Sequence, residues 1–220
     1  FNDLNLVLDI GAHKGESITF FLSNFKINKI ISFEASPINF DSLKNKELGL
    51  KKKFSKSIIQ LENIALGSSI ERKKLKQFNE SSSSTLSQIN ENSKYFKKKF
   101  AWVNLLNKKN KLYNEIQIDI NTLDNYIESN KIDLIDLIKI DTEGFEFEIL
   151  QGTTRNFKKV KLILFEHHYD DMITKNYNFS HINQLLNQNN FFRIHKAKMP
   201  FRKTFEYVYM NRFFKDDFKF

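Results

Sequence analysis

Four apolar runs in this 220-residue chain each end on a carboxylate: Leu6 to Leu8 on Asp9, Lys29 to Phe33 on Glu34, Leu134 to Ile140 on Asp141, and Leu162 to Phe165 on Glu166. Segments of helical periodicity lie between them. Ser17 to Phe25 carries Ile18, Phe21, Leu22 and Phe25 at helical spacing, and Ser36 followed by Pro37 reads as an N-cap and first helical position, opening a helix through about Lys46. Alternating strands and helices imply an α/β fold with a mostly parallel sheet covered on both faces, whose ligands bind at the carboxyl ends of the strands. One fold rule therefore gathers four sequence-distant carboxylates along one edge. A buried strand end has little reason to carry a charge unless the charge is used. The competing reading is that each carboxylate caps the next helix or pairs with a lysine.

A third strand is expected over Ile64 to Leu66, or starting slightly earlier. The pattern loosens from about 67 to 121, with a strand near Leu75 to Phe78, a polar tract Ser81 to Ser84, and a Lys-rich amphipathic stretch Asn92 to Lys109. This span reads as an insertion or lid within one domain covering 1–220, since 220 residues suit one sizeable core. Ile116, Ile118 and Ile120 alternate as a half-buried strand does, and Thr122 to Glu128 reads as a capped short helix. Leu134 to Ile140 is nearly all apolar, as a central parallel strand buried on both faces should be. Glu143 to Leu150 and His181 to Gln188 read as helices, and Phe191 to His195 with Tyr207 to Asn211 as a closing strand pair. The aromatic tail reads as core. There is no internal repeat.

The turn after the first strand, Asp9-Ile-Gly-Ala-His-Lys-Gly15, identifies the ligand class. It lacks the G-x-G-x-x-G of dinucleotide sites and the G-x-x-x-x-G-K of phosphate loops. It matches instead the D-x-G-x-x-x-G turn of S-adenosylmethionine-dependent methyltransferases, whose ligand carries no phosphate. Glu34 lies 25 positions beyond Asp9, at the end of the second strand, where a carboxylate can accept hydrogen bonds from both ribose hydroxyls.

Composition bounds the remaining classes. There is no Cys, so disulfides, thiol nucleophiles and cysteine zinc cages drop out. No apolar run approaches the ~18 residues of a spanning helix, and the first strand begins almost at Phe1, so the expectation is a cytoplasmic protein with no membrane span. The formal charge is +9, which could draw nucleic acid, anionic lipid or an acidic glycan. Its lysines fall between the strand signals, so solvated faces are the better reading and a nucleic-acid partner is disfavoured. The alternative function is a polyanion or nucleic-acid binding module on a degenerate methyltransferase fold.

The chain resembles the FkbM family of S-adenosylmethionine-dependent methyltransferases over roughly Leu6 to His168. The resemblance rests on the first turn, on Phe33-Glu-Ala-Ser-Pro37, Glu62-Asn-Ile-Ala-Leu-Gly67 and Thr122-Leu-Asp-Asn-Tyr126, and above all on Ile138-Lys-Ile-Asp-Thr-Glu-Gly-Phe-Glu146 followed by Leu150-Gln-Gly152. It implies a class I, Rossmann-like methyltransferase sheet of seven strands with an antiparallel C-terminal strand. It also implies methyl transfer to a hydroxyl of a carbohydrate, lipid or secondary metabolite. The residues it implies for the cofactor are Asp9, Gly11, Ala12, His13 and Gly15 in the turn, Glu34 for the ribose, Ser36 beside the adenosine, and Asn63 and Ala65 near the adenine. Asp141 would face the methionine amine or the acceptor. His13 departs from the Asn common at this place in the family, and both can donate a hydrogen bond.

Transfer from a sulfonium is an in-line displacement, so the protein aligns the nucleophile, while a hydroxyl must also lose its proton to a positioned base. Asp141, Glu143, Glu166, His167 and His168 are the candidates, with Asp141 and Glu143 first and His167 next. Lys139 shares a strand face with Asp141 and could hold it ionised, leaving Glu143 or a histidine as the base. These groups could also take a divalent metal, and no metal is assigned.

Overall fold

The computed structural model describes residues 3–78, 84–94, 96–97, 113–169, 171–200 and 203–217. In chain order the strands are β1 (Asp3–Ile10), β2 (Lys26–Phe33), β3 (Ile58–Glu62), β4 (Ala65–Leu66), β5 (Glu71–Phe78), β6 (Ser84–Thr85), β7 (Gln88–Ile89), β8 (Tyr113–Asn121), β9 (Ile135–Ile140), β10 (Val160–His168), β11 (Ile173–Thr174), β12 (Phe191–Lys198) and β13 (Thr204–Asn211). The helices are α1 (Glu16–Asn24), α2 (Pro37–Lys53), α3 (Leu123–Ser129), α4 (Glu146–Gln151) and α5 (Phe179–Gln188).

Seven strands form one sheet in the order β3-β2-β1-β9-β10-β13-β12. Neighbours are parallel except around β13, which runs antiparallel to both β10 and β12. Period-two alternation feeds two apolar cores, one on each face. Leu8, Ile31, Ile138 and Ile163 pack on one side with α3, α4 and α5; Val7, Ile30, Leu137 and Leu162 pack on the other with Ile18 and Phe21 of α1 and Leu43 of α2. β9 is buried along its whole length. Its Asp136 finds partners there: Asn5 and Leu6 donate their N–H groups to it and Lys161 lies 3.1 Å away.

Local sequence accounts for the helix ends. The Ser36 hydroxyl accepts the Asn39 N–H and Pro37 stands at the first helical position of α2. Lys51 to Lys53 complement its C-terminal carbonyls, so the helix runs past Lys46. The third strand of the large sheet is Ile58–Glu62, not Ile64 to Leu66: Ala65–Leu66 leaves that sheet and pairs with β8. The helix expected from Glu143 starts at Glu146, because Glu143 and Gly144 take positive φ, 53° and 98°, and no right-handed helix passes through such a pair.

β4, β8, β5 and β6 form a second sheet, and β7 pairs with β11. Most of the polar tract Ser81 to Ser84 and of the stretch Asn92 to Lys109 lies outside the described residues. No helix among the described residues is long and apolar enough to cross a membrane.

Candidate active site

The carboxyl ends of β1, β2, β9 and β10 open into a cavity of about 280 Å³, and Glu34, Asp141, Glu143 and Glu166 all line it. β1 leaves the sheet through Gly11, at φ 84°. The Gly11 and Ala12 N–H groups both donate to Phe33 O, at 2.9 and 3.0 Å, drawing the turn across the end of β2. A Cβ on Gly11 would stand 1.9 Å from Asp141 O, so the exit of β9 excludes a side chain there. His13 follows with φ 50°. Its N–H donates to one Glu34 oxygen at 2.8 Å, and the Ser36 N–H donates to the other at 2.9 Å. Burial raises the Glu34 pKa, opposed by those hydrogen bonds from Ser36 and His13. Each oxygen keeps a lone pair for an incoming hydroxyl.

Lys139 holds the centre. Its ammonium donates to Gly11 O at 3.1 Å and lies 3.2 Å from Asp9 Oδ1 and 3.6 Å from Asp141 Oδ2. Burial by itself would lower the Lys139 pKa, but Asp9 and then Asp141 outweigh it and raise it. Lys139 therefore stays a cation, and it stands between Asp9 and Asp141.

The loop between β9 and α4 carries Glu143. Fully buried Glu146 accepts the Thr142 N–H and hydroxyl, both at 3.2 Å, the Gly144 N–H at 3.0 Å and the Tyr177 hydroxyl at 2.8 Å. From the second sheet and the turn after it, the Thr85 hydroxyl donates to Glu143 O and the Ser87 hydroxyl to Gly144 O, each at 2.8 Å. Glu166 completes the cluster. Burial and the facing Asp141 push its pKa up to about 7; His168 opposes them, and Glu143 and Glu206 add to them. His168 Nε2 lies 3.5 Å from Glu143 Oε2 and 3.8 Å from Glu166 Oε2, with Nδ1 3.1 Å from the Thr204 hydroxyl.

Of the residues expected at the site, Gly11, Ala12, His13, Glu34, Ala65, Asp141 and Glu143 line the cavity. Asp9, Gly15, Ser36, Asn63 and His167 do not. Asp9 is fully buried under the turn, where it accepts the Ser17 hydroxyl at 2.6 Å and faces Lys139. Gly15 packs against α2, since a Cβ would meet Leu43 at 2.9 Å. Buried Ser36 caps α2 and donates its hydroxyl to Gln77 of β5. Asn63 is exposed and braces the Glu34 carbonyl at 2.7 Å. His167 points away from Glu166 and His168 by strand alternation, into a ring cluster of Tyr169, Tyr177 and Phe179. Burial, with Lys175 and His168 nearby, lowers its pKa to about 3, so it is neutral and remote from the cavity.

Thr85, Leu86, Thr142 and Phe145 also line the cavity. Spacing carries no signal for the first two, which arrive from the second sheet. No group of three His, Cys, Asp or Glu among the described residues is arranged to hold a metal.

A dinucleotide's phosphates would meet Glu34, Asp141, Glu143 and Glu166, so the cavity repels them. It suits a ligand that offers hydroxyls at one end and positive charge at the other, which S-adenosylmethionine does through its ribose and its sulfonium and amine. A family model for the methyltransferase FkbM domain matches residues 9–193. The chain belongs to the FkbM methyltransferase family. Among solved structures, this FkbM domain is similar to a methyltransferase FkbM from Methylobacillus flagellatus KT, with TM-score 0.56 and 17% identity over 96% of this chain and 44% of that one. It is also similar to an uncharacterized protein of Listeria monocytogenes serotype 4b, at 0.53 and 13% over 94% and 61%. A third is magnesium protoporphyrin IX methyltransferase from Synechocystis PCC 6803 with bound SAM, at 0.50 and 9% over 96% and 71%. The FkbM chain thus spans less than half of the Methylobacillus protein. No curated protein matches it in sequence.

Proposed function

We propose that this FkbM domain is an S-adenosylmethionine-dependent O-methyltransferase whose acceptor is a hydroxyl of a carbohydrate, a lipid or a secondary metabolite. The observation that carries the reading is the split of carboxylates across one cavity: Glu34 at the β2 end, and Asp141, Glu143 and Glu166 at the β9 and β10 ends. Three strand spacings separate the ends of β2 and β10, about 14 Å, enough for an adenosyl donor and a small acceptor side by side. Glu34 takes the ribose hydroxyls, Gly11, Ala12 and His13 line the methionine portion, and Asp141 faces its amine. Ala65 lies near the adenine. A hydroxyl acceptor must lose a proton, unlike a thioether or an already neutral amine pair, and the acceptor side supplies carboxylates for it. The SAM bound by the Synechocystis neighbour supports the donor assignment. The span 67–121 acts as an insertion in one methyltransferase unit and shapes the acceptor side through Thr85 and Leu86.

Calorimetry tests the donor assignment. S-adenosylmethionine and S-adenosylhomocysteine should both bind. Glu34→Ala removes charge-assisted hydrogen bonds worth about 1.5–3 kcal/mol and should weaken both ligands at least tenfold. No affinity for either ligand, with Glu34→Ala changing nothing, sinks the assignment.

A further inference from the structure

The cavity holds four carboxylates, and their surroundings separate them into different tasks. Glu34 is engaged by two backbone N–H groups at the donor end. Asp141 is 3.6 Å from the Lys139 ammonium. Glu143 rides on a loop at positive φ, tied by its own carbonyl to Thr85. Glu166 stands near the carboxyl end of β10, the cavity strand farthest from β2 and its Glu34. His168 lies 3.8 Å away on the same strand face, and it is anchored at its other nitrogen by Thr204.

We propose that Glu166 is the catalytic residue that takes the acceptor's hydroxyl proton, with His168 as the positioning residue that sets when Glu166 is free to take it. The proposal rests on the O-methyltransferase reading above and names the base within it. In the step, the acceptor O–H proton passes to a Glu166 carboxylate oxygen as the new O–CH3 bond forms. The S–CH3 bond breaks with its electron pair left on sulfur, so a cation is consumed and one proton is gained by the protein. Charge is balanced at the site: the sulfonium disappears as Glu166 becomes neutral.

The groups facing Glu166 make this exchange self-consistent. Asp141 and Glu143 from the loop after β9, and Glu206 opposite it on β13, all resist a further negative charge on Glu166. His168 on β10 and Lys139 on β9 favour that charge. A bound sulfonium adds one more cation and tips Glu166 toward the ionised form; its neutral thioether product withdraws that cation and leaves Glu166 protonated. A carboxyl poised near neutral pH is well matched to give and take this proton.

Binding alone reads this out, with no acceptor needed. Titrate the full chain near pH 7 with S-adenosylmethionine and with S-adenosylhomocysteine, each in phosphate and in Tris, whose ionisation enthalpies differ. The slope of binding enthalpy against buffer enthalpy counts protons exchanged. The wild type should show the thioether leaving roughly half a proton or more per site on the protein relative to the sulfonium. Glu166→Gln should bind both ligands and abolish that difference. His168→Asn, which deletes a cation beside Glu166, should keep the difference and move its midpoint to higher pH; a merely structural histidine would leave the midpoint in place. Equal proton numbers for the two ligands in the wild type, or a difference that survives Glu166→Gln, overturns the assignment of Glu166 alone. Failure of both ligands to bind overturns the donor assignment and this proposal with it.

Discussion

Glu166 is costly to the fold for the same reason it suits proton transfer. An unfolded Glu releases its proton near pH 4.5, whereas the folded chain holds it until about pH 7. Between those values the folded state carries the extra proton, so this residue's contribution to stability falls as pH rises through that window and levels off above it. At about 1.4 kcal/mol per pH unit, discounted for the partial exposure of the side chain, the loss is roughly 2 kcal/mol. Glu166→Gln should therefore match the wild type in urea denaturation at pH 4.5 and exceed it by about that amount at pH 8. A difference between the two proteins that stays constant with pH would show that Glu166 titrates normally. Placement at the cavity was legible where strand ends carry unusual charge, as at Glu34, Asp141 and Glu166. Asp9, Gly15 and Ser36 lie off the cavity lining, because spacing places a residue in the turn without saying which way it points. Asp9 is consumed beneath the turn by Ser17 and Lys139, and the glycines answer to close protein contacts with Asp141 and Leu43.

Among elements, the loop between β9 and α4 shows why a motif's last residue can matter more to geometry than to chemistry. Glu146 never reaches the cavity, yet one of its oxygens collects Thr142 and Gly144 and the other collects Tyr177. That clamp sustains Glu143 at φ 53° beside Gly144 at φ 98°, a pairing that costs energy unless surrounding contacts impose it. Glu146→Ala strands these buried donors and should destabilise the protein by about 2–4 kcal/mol. The Gly144 amide should then exchange with deuterium at least tenfold faster, while amides in β2 slow or quicken only with global stability. Unchanged Gly144 exchange would mean that Thr85 and Ser87 hold the loop unaided. Periodicity located nearly every element of the large sheet, since β9 and β10 are apolar enough to speak for themselves. It misplaced the third strand, because Ile58–Glu62 carries Gln60 and Glu62 and looks weaker than Ile64 to Leu66. It also ran a helix through Glu143, whose positive φ is imposed by tertiary hydrogen bonds that no local pattern encodes.

At the scale of the whole molecule, a chain of net charge +9 encloses a cavity lined by carboxylates, and the two facts attract different ligands. Some of the surface cations are paired with acids: Glu47 takes both Lys44 and Lys51, Arg72 meets Asp119, and Lys74 meets Glu115. Polyanion attraction to such a surface is a screened, counterion-release effect, whereas a cofactor read by buried groups feels little of the added salt. Thermal denaturation separates the two. At a hundredfold excess over its Kd, S-adenosylhomocysteine should add about 2.7 kcal/mol of stability, raising Tm by roughly 5–10 °C for a chain of this size. That shift should be nearly the same at 50 and 300 mM salt, and Glu34→Ala should reduce it. A single-stranded oligonucleotide should stabilise the protein weakly at 50 mM and not at all at 300 mM, with Glu34→Ala making no difference. The reverse pattern, a salt-resistant oligonucleotide shift with none from the cofactor product, would mean that the methyltransferase sheet serves as a scaffold for polyanion binding and that the carboxylate cavity has lost its ligand.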